Sequence, residues 1–212
     1  MNLKLISAVV AGFFAAPAFA APITLDFEGT SSLAPIADYY NGGTDANGAS
    51  GTNYGASFGP GLQGLQNDVL GPYFSNNPSG SSIMIVSDVD AALNIAQGFF
   101  SAVSFSYSSA TATTVSLFSG LNGTGDLLGT FSLAANAQQN GCSDSPSCYW
   151  GLASLAFTGV AHSIQFADAV GAGFDDVKFT PVPVPAAGWL LVSGAGLVAA
   201  WRRRKNAIQT RE

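Results

Sequence analysis

Few residues of this 212-residue chain can do chemistry. His162 is the sole histidine, in Val160-Ala161-His162-Ser163-Ile164. A Ser/His/Asp set around it is conceivable, but no Gly-x-Ser-x-Gly elbow presents a nucleophile. His162 reads better as a strand-start or loop residue. Cys142 and Cys148 are the only cysteines, in Cys142-Ser-Asp-Ser-Pro-Ser-Cys148. A zinc site needs more nitrogen or sulfur ligands than two cysteines. A redox-active pair would more often be Cys-x-x-Cys, so a structural disulfide pinning a surface loop is expected. Two carboxylates at the right separation could hydrolyse a glycoside, but sequence fixes no such separation. No phosphate cradle is present. The chain therefore reads as a non-enzyme with no catalytic residue.

Charge narrows the partners. Of seven basic residues, five lie at 202–205 and 211, and Lys4 is near the start. The region 21–180 keeps only Lys178 against twelve acids, a net charge of −11. It has no arginine. Nucleic-acid binding needs basic contacts to phosphate and is excluded. Acids without basic partners invite cations.

The elements that would position these residues are strands. Ile23, Leu25 and Phe27 alternate with Thr24 and Asp26, and Val103, Phe105 and Tyr107 with Ser104 and Ser106. The same period of two recurs at Val115–Leu117, Gly129–Leu133, Leu155–Phe157, Ile164–Phe166 and Val177–Phe179. Ile83–Val86 is a short, fully apolar run. Asn122-Gly123, Gly125-Asp126 and Gly171-Ala172-Gly173 read as turns. Asn122-Gly123-Thr124 fits a glycosylation sequon but reads first as a hairpin turn. Asp88-Val89-Asp90 reads as a polar turn. The segment 41–64, rich in Gly, Asn and Ser, is expected to be a long loop. The predicted fold is all-β, a single jelly-roll or β-sandwich domain over 21–180.

Both ends of the chain read as addresses. Lys4, the apolar run Leu5–Ala16 and Ala18-Phe19-Ala20 form a secretory signal over 1–20, cleaved before Ala21. Ala18 and Ala20 are the small residues of the cleavage site. At the other end, Ala186 to Trp201 is an uncharged run of sixteen residues, about 24 Å as a helix. That is a short span of a ~30 Å hydrocarbon core. Trp189 and Trp201 stand near its ends, where aromatic belts form. Arg202, Arg203, Arg204 and Lys205 should stop transfer and stay cytoplasmic, followed by a short tail, 206–212.

Val182-Pro183-Val184-Pro185-Ala186, Gly188-Trp189-Leu190-Leu191, the Gly-rich apolar helix and the basic cluster together resemble the PEP-CTERM sorting signals, over 181–205. The nearest variant is VPLPA-CTERM, with Val184 in place of its Leu. The resemblance implies a Gram-negative host and an exosortase that removes the tail and passes the protein outward. Signal peptidase, that processing enzyme and the membrane are the partners it implies, with extracellular polysaccharide or biofilm as the destination.

Two segments resemble carbohydrate-binding-module-like jelly rolls: Leu25-Asp26-Phe27-Glu28-Gly29 and Gly173-Phe174-Asp175-Asp176-Val177-Lys178-Phe179. The resemblance implies that first and last strands lie side by side. It also implies that acids from both ends share a structural calcium, held by Glu28 and Asp176 first, then Asp26 and Asp175. The alternative is solvated acids at strand ends.

Three roles stay open. A structural or adhesive surface domain is the leading one. A glycan-binding module would need exposed aromatics, from among Tyr39, Tyr40, Tyr54, Tyr73, Phe74 and Trp150. A matrix polysaccharide hydrolase would need two carboxylates across a cleft.

Overall fold

The computed structural model describes residues 20–67 and 73–183. Ala20–Val182 forms one compact unit. Among the described residues there are nine strands: β1 (Ile23–Leu25), β2 (Ala56–Phe58), β3 (Leu62–Gln66), β4 (Ser82–Val86), β5 (Ala92–Ser108), β6 (Thr113–Phe118), β7 (Leu127–Leu133), β8 (Gly151–Gln165) and β9 (Gly173–Pro181). A single 3-10 turn, Ala167–Ala169, links the last two. Every pairing between these strands is antiparallel.

The long strands β5 and β8 pair with each other and belong to both layers. Residues 92–94 of β5 pair with 163–165 of β8, and 99–107 with 151–161. The register shifts once between these stretches and once more between Phe100 and Ala102, as β-bulges do where a strand must bend. Gly98, Ser101 and Gly159 take positive φ of 78°, 75° and 91° at this corner. The ribbon therefore turns from one layer into the other. One layer runs β2, the start of β5, the end of β8, β6, β7. The other runs β3, β4, β9, the end of β5, the start of β8, with β1 on β9 beside β4. The all-β sandwich expected from the alternation is what forms.

The alternation also builds the core. Phe99, Val103 and Phe105 of β5 point inward, meeting Val115 and Leu117 of β6, Phe131 of β7 and Phe174 and Phe179 of β9. Phe105 packs edge-on against Phe174 at 5.3 Å between ring centres, and Phe166 against Phe174 at 4.8 Å. Such edge-to-face pairs add ~0.5–1.5 kcal/mol beyond their area. First and last strands do lie side by side, with Leu25 opposite Val177.

The structure departs from the sequence reading in three places. His162 lies inside β8, neither at a strand start nor in a loop. The segment 41–64 is not all loop: Ala56–Phe58 pairs with β5, and β3 starts at Leu62. Phe58 and Leu62 bury there, which Gly-rich neighbours disguised. The runs at 155–157 and 164–166 are two ends of one neighbourhood, since β8 is continuous across Gly159 up to Gln165. Asp88–Asp90 is an exposed turn, as expected, and Asn122-Gly123 sits in the β6–β7 hairpin. Among the described residues no helix is long and apolar enough to cross a membrane. The signal segment up to Phe19, the motif beyond Pro183, the apolar run and the basic cluster lie outside the described residues. Val182 is inside, its N–H donating to Gly98 O at 2.9 Å.

Candidate functional site

Of the four acids expected to share a calcium, Asp26, Glu28 and Asp175 accept hydrogen bonds from the protein. Among the described residues no group of three or more His, Cys, Asp or Glu side chains is placed to hold a metal ion. Glu28 Oε1 accepts the N–H groups of Ser81 and Ser82 at 2.9 and 2.7 Å. Asp175, fully buried, accepts from Ser79 N–H at 3.0 Å, Ser79 Oγ at 3.1 Å and Asp176 N–H at 2.8 Å. Burial pushes the Asp175 carboxyl up to about 7, with the Ser79 hydrogen bonds opposing and the neighbouring Asp176 charge reinforcing. Asp26 Oδ1 accepts from Glu28 N–H at 3.2 Å and Tyr40 O–H at 3.3 Å. The acids thus clasp the segment 79–82 onto the sheet with hydrogen bonds.

Five of the six aromatics singled out in the sequence pack into the fold. Tyr39, Tyr40 and Phe74 are buried. Tyr40 stacks on Tyr54 at 6.0 Å, and Tyr39 O–H donates to Glu28 O at 2.9 Å. Burial, then the Asp26 charge, raises the Tyr40 hydroxyl far above an ordinary phenol. These tyrosines and the two acids line a recess of about 240 Å³. Trp150 donates Nε1–H to Ser75 O at 2.9 Å and lies against Phe74 in a small second cluster with Leu65 and Ile83. Only Tyr73 stands clear, 54% exposed. No exposed planar row forms from these six.

The disulfide Cys142–Cys148 forms, with Cα atoms 5.7 Å apart. Its loop walls a cleft of about 820 Å³. Tyr107, at the end of β5, and Tyr149, just before β8, face it. Gln138, Gln139, Pro146 and Leu152 complete the rim. Leu152 is 78% exposed, an unusual position for a large aliphatic side chain.

The wall is built by hydrogen bonds. Asn136, buried, accepts Ser109 N–H at 2.8 Å and donates to Tyr107 O at 3.0 Å. Ala137 O accepts both Cys148 N–H at 2.9 Å and Tyr149 N–H at 3.2 Å. Gly151 allows the Tyr107 ring to close in, since a Cβ there would sit 3.2 Å from Tyr107 Cε1. Among the described residues the lining holds tyrosines, amides and apolar residues, and no carboxylate, histidine, lysine or arginine. Such a surface offers flat apolar faces with a few directional polar groups. His162 is elsewhere, its Nδ1 2.8 Å from Ser119 O. Sequence reasoning missed Tyr107 and Tyr149 as site residues. The signal was there in Tyr149 following the cysteine loop, but nothing local shows that β5 ends opposite it.

No protein-family model matches the chain, and no curated protein matches it. Several solved structures share some of its shape. A carbohydrate-binding module of Cellvibrio mixtus lichenase 5A, solved with cellotriose, is 12% identical with a TM-score of 0.39, covering 78% of this chain and all (100%) of that one. A module from Clostridium stercorarium, solved with cellobiose, is 21% identical with a TM-score of 0.34, covering 57% of this chain and 94% of that one. An arabinoxylan arabinofuranohydrolase of Bacillus subtilis is 15% identical with a TM-score of 0.38, covering 66% of this chain and 31% of that one. At these scores such likenesses decide neither ligand nor chemistry.

Proposed function

We propose that the domain is a non-catalytic glycan-binding module that takes a neutral sugar in the cleft between Tyr107 and Tyr149. The observation that carries this is the lining: two tyrosines and two exposed glutamines, with no charged group among the described residues. A sugar ring has an apolar face for a tyrosine and a polar edge for an amide. A domain at −11 repels anionic polymers, and a cleft free of carboxylates suits a neutral one. Among the described residues the lining also holds no acid pair of the kind that glycoside hydrolysis uses. This reading displaces the purely structural role, which leaves an open cleft of this size unused.

The wider setting remains part of the proposal. The leader exports the chain, and the disulfide suits an oxidising compartment. The PEP-CTERM-like tail would then hold the protein in the inner membrane until an exosortase-like enzyme releases it to the surface or matrix. Jelly-roll kinship belongs to the same reading. Titration of the full chain with neutral polysaccharides tests it. Saturable binding that Tyr149→Ala weakens at least tenfold, with thermal unfolding unchanged, supports the module. Absence of binding across glucans, xylan, mannan and galactan returns the domain to a structural role.

A further inference from the structure

We infer that the ligand of this cleft is a linear neutral polysaccharide gripped along its length, its chain running on from the cleft into the slit between β7 and β8. The inference rests on the glycan-binding reading and adds the form of the ligand.

The cleft does not stop at its own rim. Tyr107 and Leu152 also line a second hollow of about 350 Å³, bounded by Thr130–Leu133 of β7 and Leu152–Leu155 of β8. Four residues of strand set its length at ~10 Å. The walls come from the two layers of the sandwich. Leu155 packs beside Gly129, and Leu128 lies near Gly159, so the strands run close without joining. Among the described residues β7 pairs only with β6, and residues 151–161 of β8 pair only with β5. Each strand therefore presents an edge with no backbone partner. An unpaired edge is a row of N–H donors and C=O acceptors at fixed spacing.

The side chains add to that row. Thr130, Ser132 and Ser154 supply exposed hydroxyls, while Phe131, Leu133 and Leu155 supply apolar floor. No charged residue occurs in 127–133 or 151–161. An added β-strand could use one edge, but it would leave the larger tyrosine-lined cleft empty. A polymer of flat rings edged by hydroxyls fits both hollows: ring faces meet Tyr107, Tyr149 and Leu152, and hydroxyls meet the strand edges. Because the two hollows share Tyr107 and Leu152, one chain can pass from the cleft into the slit.

The test is a length series on the full chain. Oligomers of two to six sugars, cut from whichever neutral polysaccharide binds, are titrated into wild type and Ser132→Trp. Ser132 is exposed on β7, so the indole fills the slit without entering the core. In wild type, Kd should fall at least tenfold from dimer to hexamer, and Ser132→Trp should abolish that gain. Equal Kd for dimer and hexamer overturns the extended groove while leaving the cleft reading intact. A gain that survives Ser132→Trp overturns it too. A wild-type dimer that Ser132→Trp converts to monomer, seen by sedimentation without sugar, assigns the slit to strand pairing between copies instead. Failure of every polysaccharide to bind overturns the cleft reading itself.

Discussion

Glu28 Oε1 accepts the N–H of Ser82 at 2.7 Å, tying the turn after β1 to the start of β4 across 54 residues of chain. The same oxygen holds Ser81 N–H. Hydrogen bonds to an ionised acceptor contribute ~1.5–3 kcal/mol, and removing one partner strands the other. Glu28→Ala should therefore cost about 2–4 kcal/mol in urea unfolding. Glu28→Gln keeps an acceptor oxygen and should cost less than half of that. Equal losses from both variants would mean that packing, not the acceptor, matters here. Gly80→Ala should cost as much as Glu28→Ala, because its Cβ would collide with the Glu28 carboxylate.

Asp175 makes stability depend on pH in an unusual direction. Its pKa is about 7 when folded, against the ordinary 3.8. Between those values the native state binds more protons than the unfolded chain, so stability falls as pH rises from about 4 to about 7 and then levels off. Asp45 acts oppositely. Burial pushes it up, but hydrogen bonds from Ser31, Ala49 and Asn47 more than reverse this, so its share is lost as pH falls through its lowered value. Asp175→Asn should flatten the upper slope. Urea midpoints at intervals from pH 4 to 8 check it; parallel wild-type and variant curves would contradict the assignment.

The disulfide is expected to shape binding as well as stability. Closing a loop of this length contributes ~2–2.5 kcal/mol on the chain-entropy model. Cys148 and Tyr149 share one acceptor, Ala137 O, so loosening the loop loosens the tyrosine. Replacing both cysteines by serine should lower stability by about that amount and weaken glycan binding severalfold at a temperature where the domain stays folded. Unchanged affinity would mean that the strand ends alone position Tyr149.

The corner of the long ribbon should be intolerant of side chains. Gly98 has φ 78°, and a Cβ there would stand 2.5 Å from Val160 Cγ1. Gly98→Ala should cost at least ~1–2 kcal/mol from the left-handed backbone alone, and more from the clash. Gly159, at φ 91° with only Leu128 at 3.9 Å, should show the backbone cost without the clash. A larger loss at Gly159 than at Gly98 would refute this ranking.

How much of this was legible in sequence depended on range. Val103, Phe105 and Tyr107 announce their strand because alternation is local, and Val177–Phe179 beside Ile23–Leu25 followed from strand-end motifs. Sequence marks Glu28 and Asp176 first, then Asp26 and Asp175, as acids at strand ends, yet Ser79–Ser82, the segment that Glu28 and Asp175 hold, carries no local sign of doing so. The six aromatics illustrate the same limit. Tyr40 and Phe74 sit among polar neighbours in sequence but are buried, Tyr40 against Phe27, Tyr54 and Phe58, and Phe74 against Trp150 far along the chain. Tyr107 looked like ordinary strand packing, and only the fold of the β5–β8 ribbon turns it toward Tyr149.

That ribbon also sets a clock. Leu25 must wait for Val177, and Ser108 for Gly173, before either strand has its neighbour. Contacts so distant in sequence form slowly, since loop closure precedes any reward. A nascent chain stopped anywhere before Gly173 has half of its β5 edge bare and nothing to seat β1 against. β9 therefore completes its layer last: β1 and the end of β5 gain their common neighbour only when Gly173–Pro181 is present.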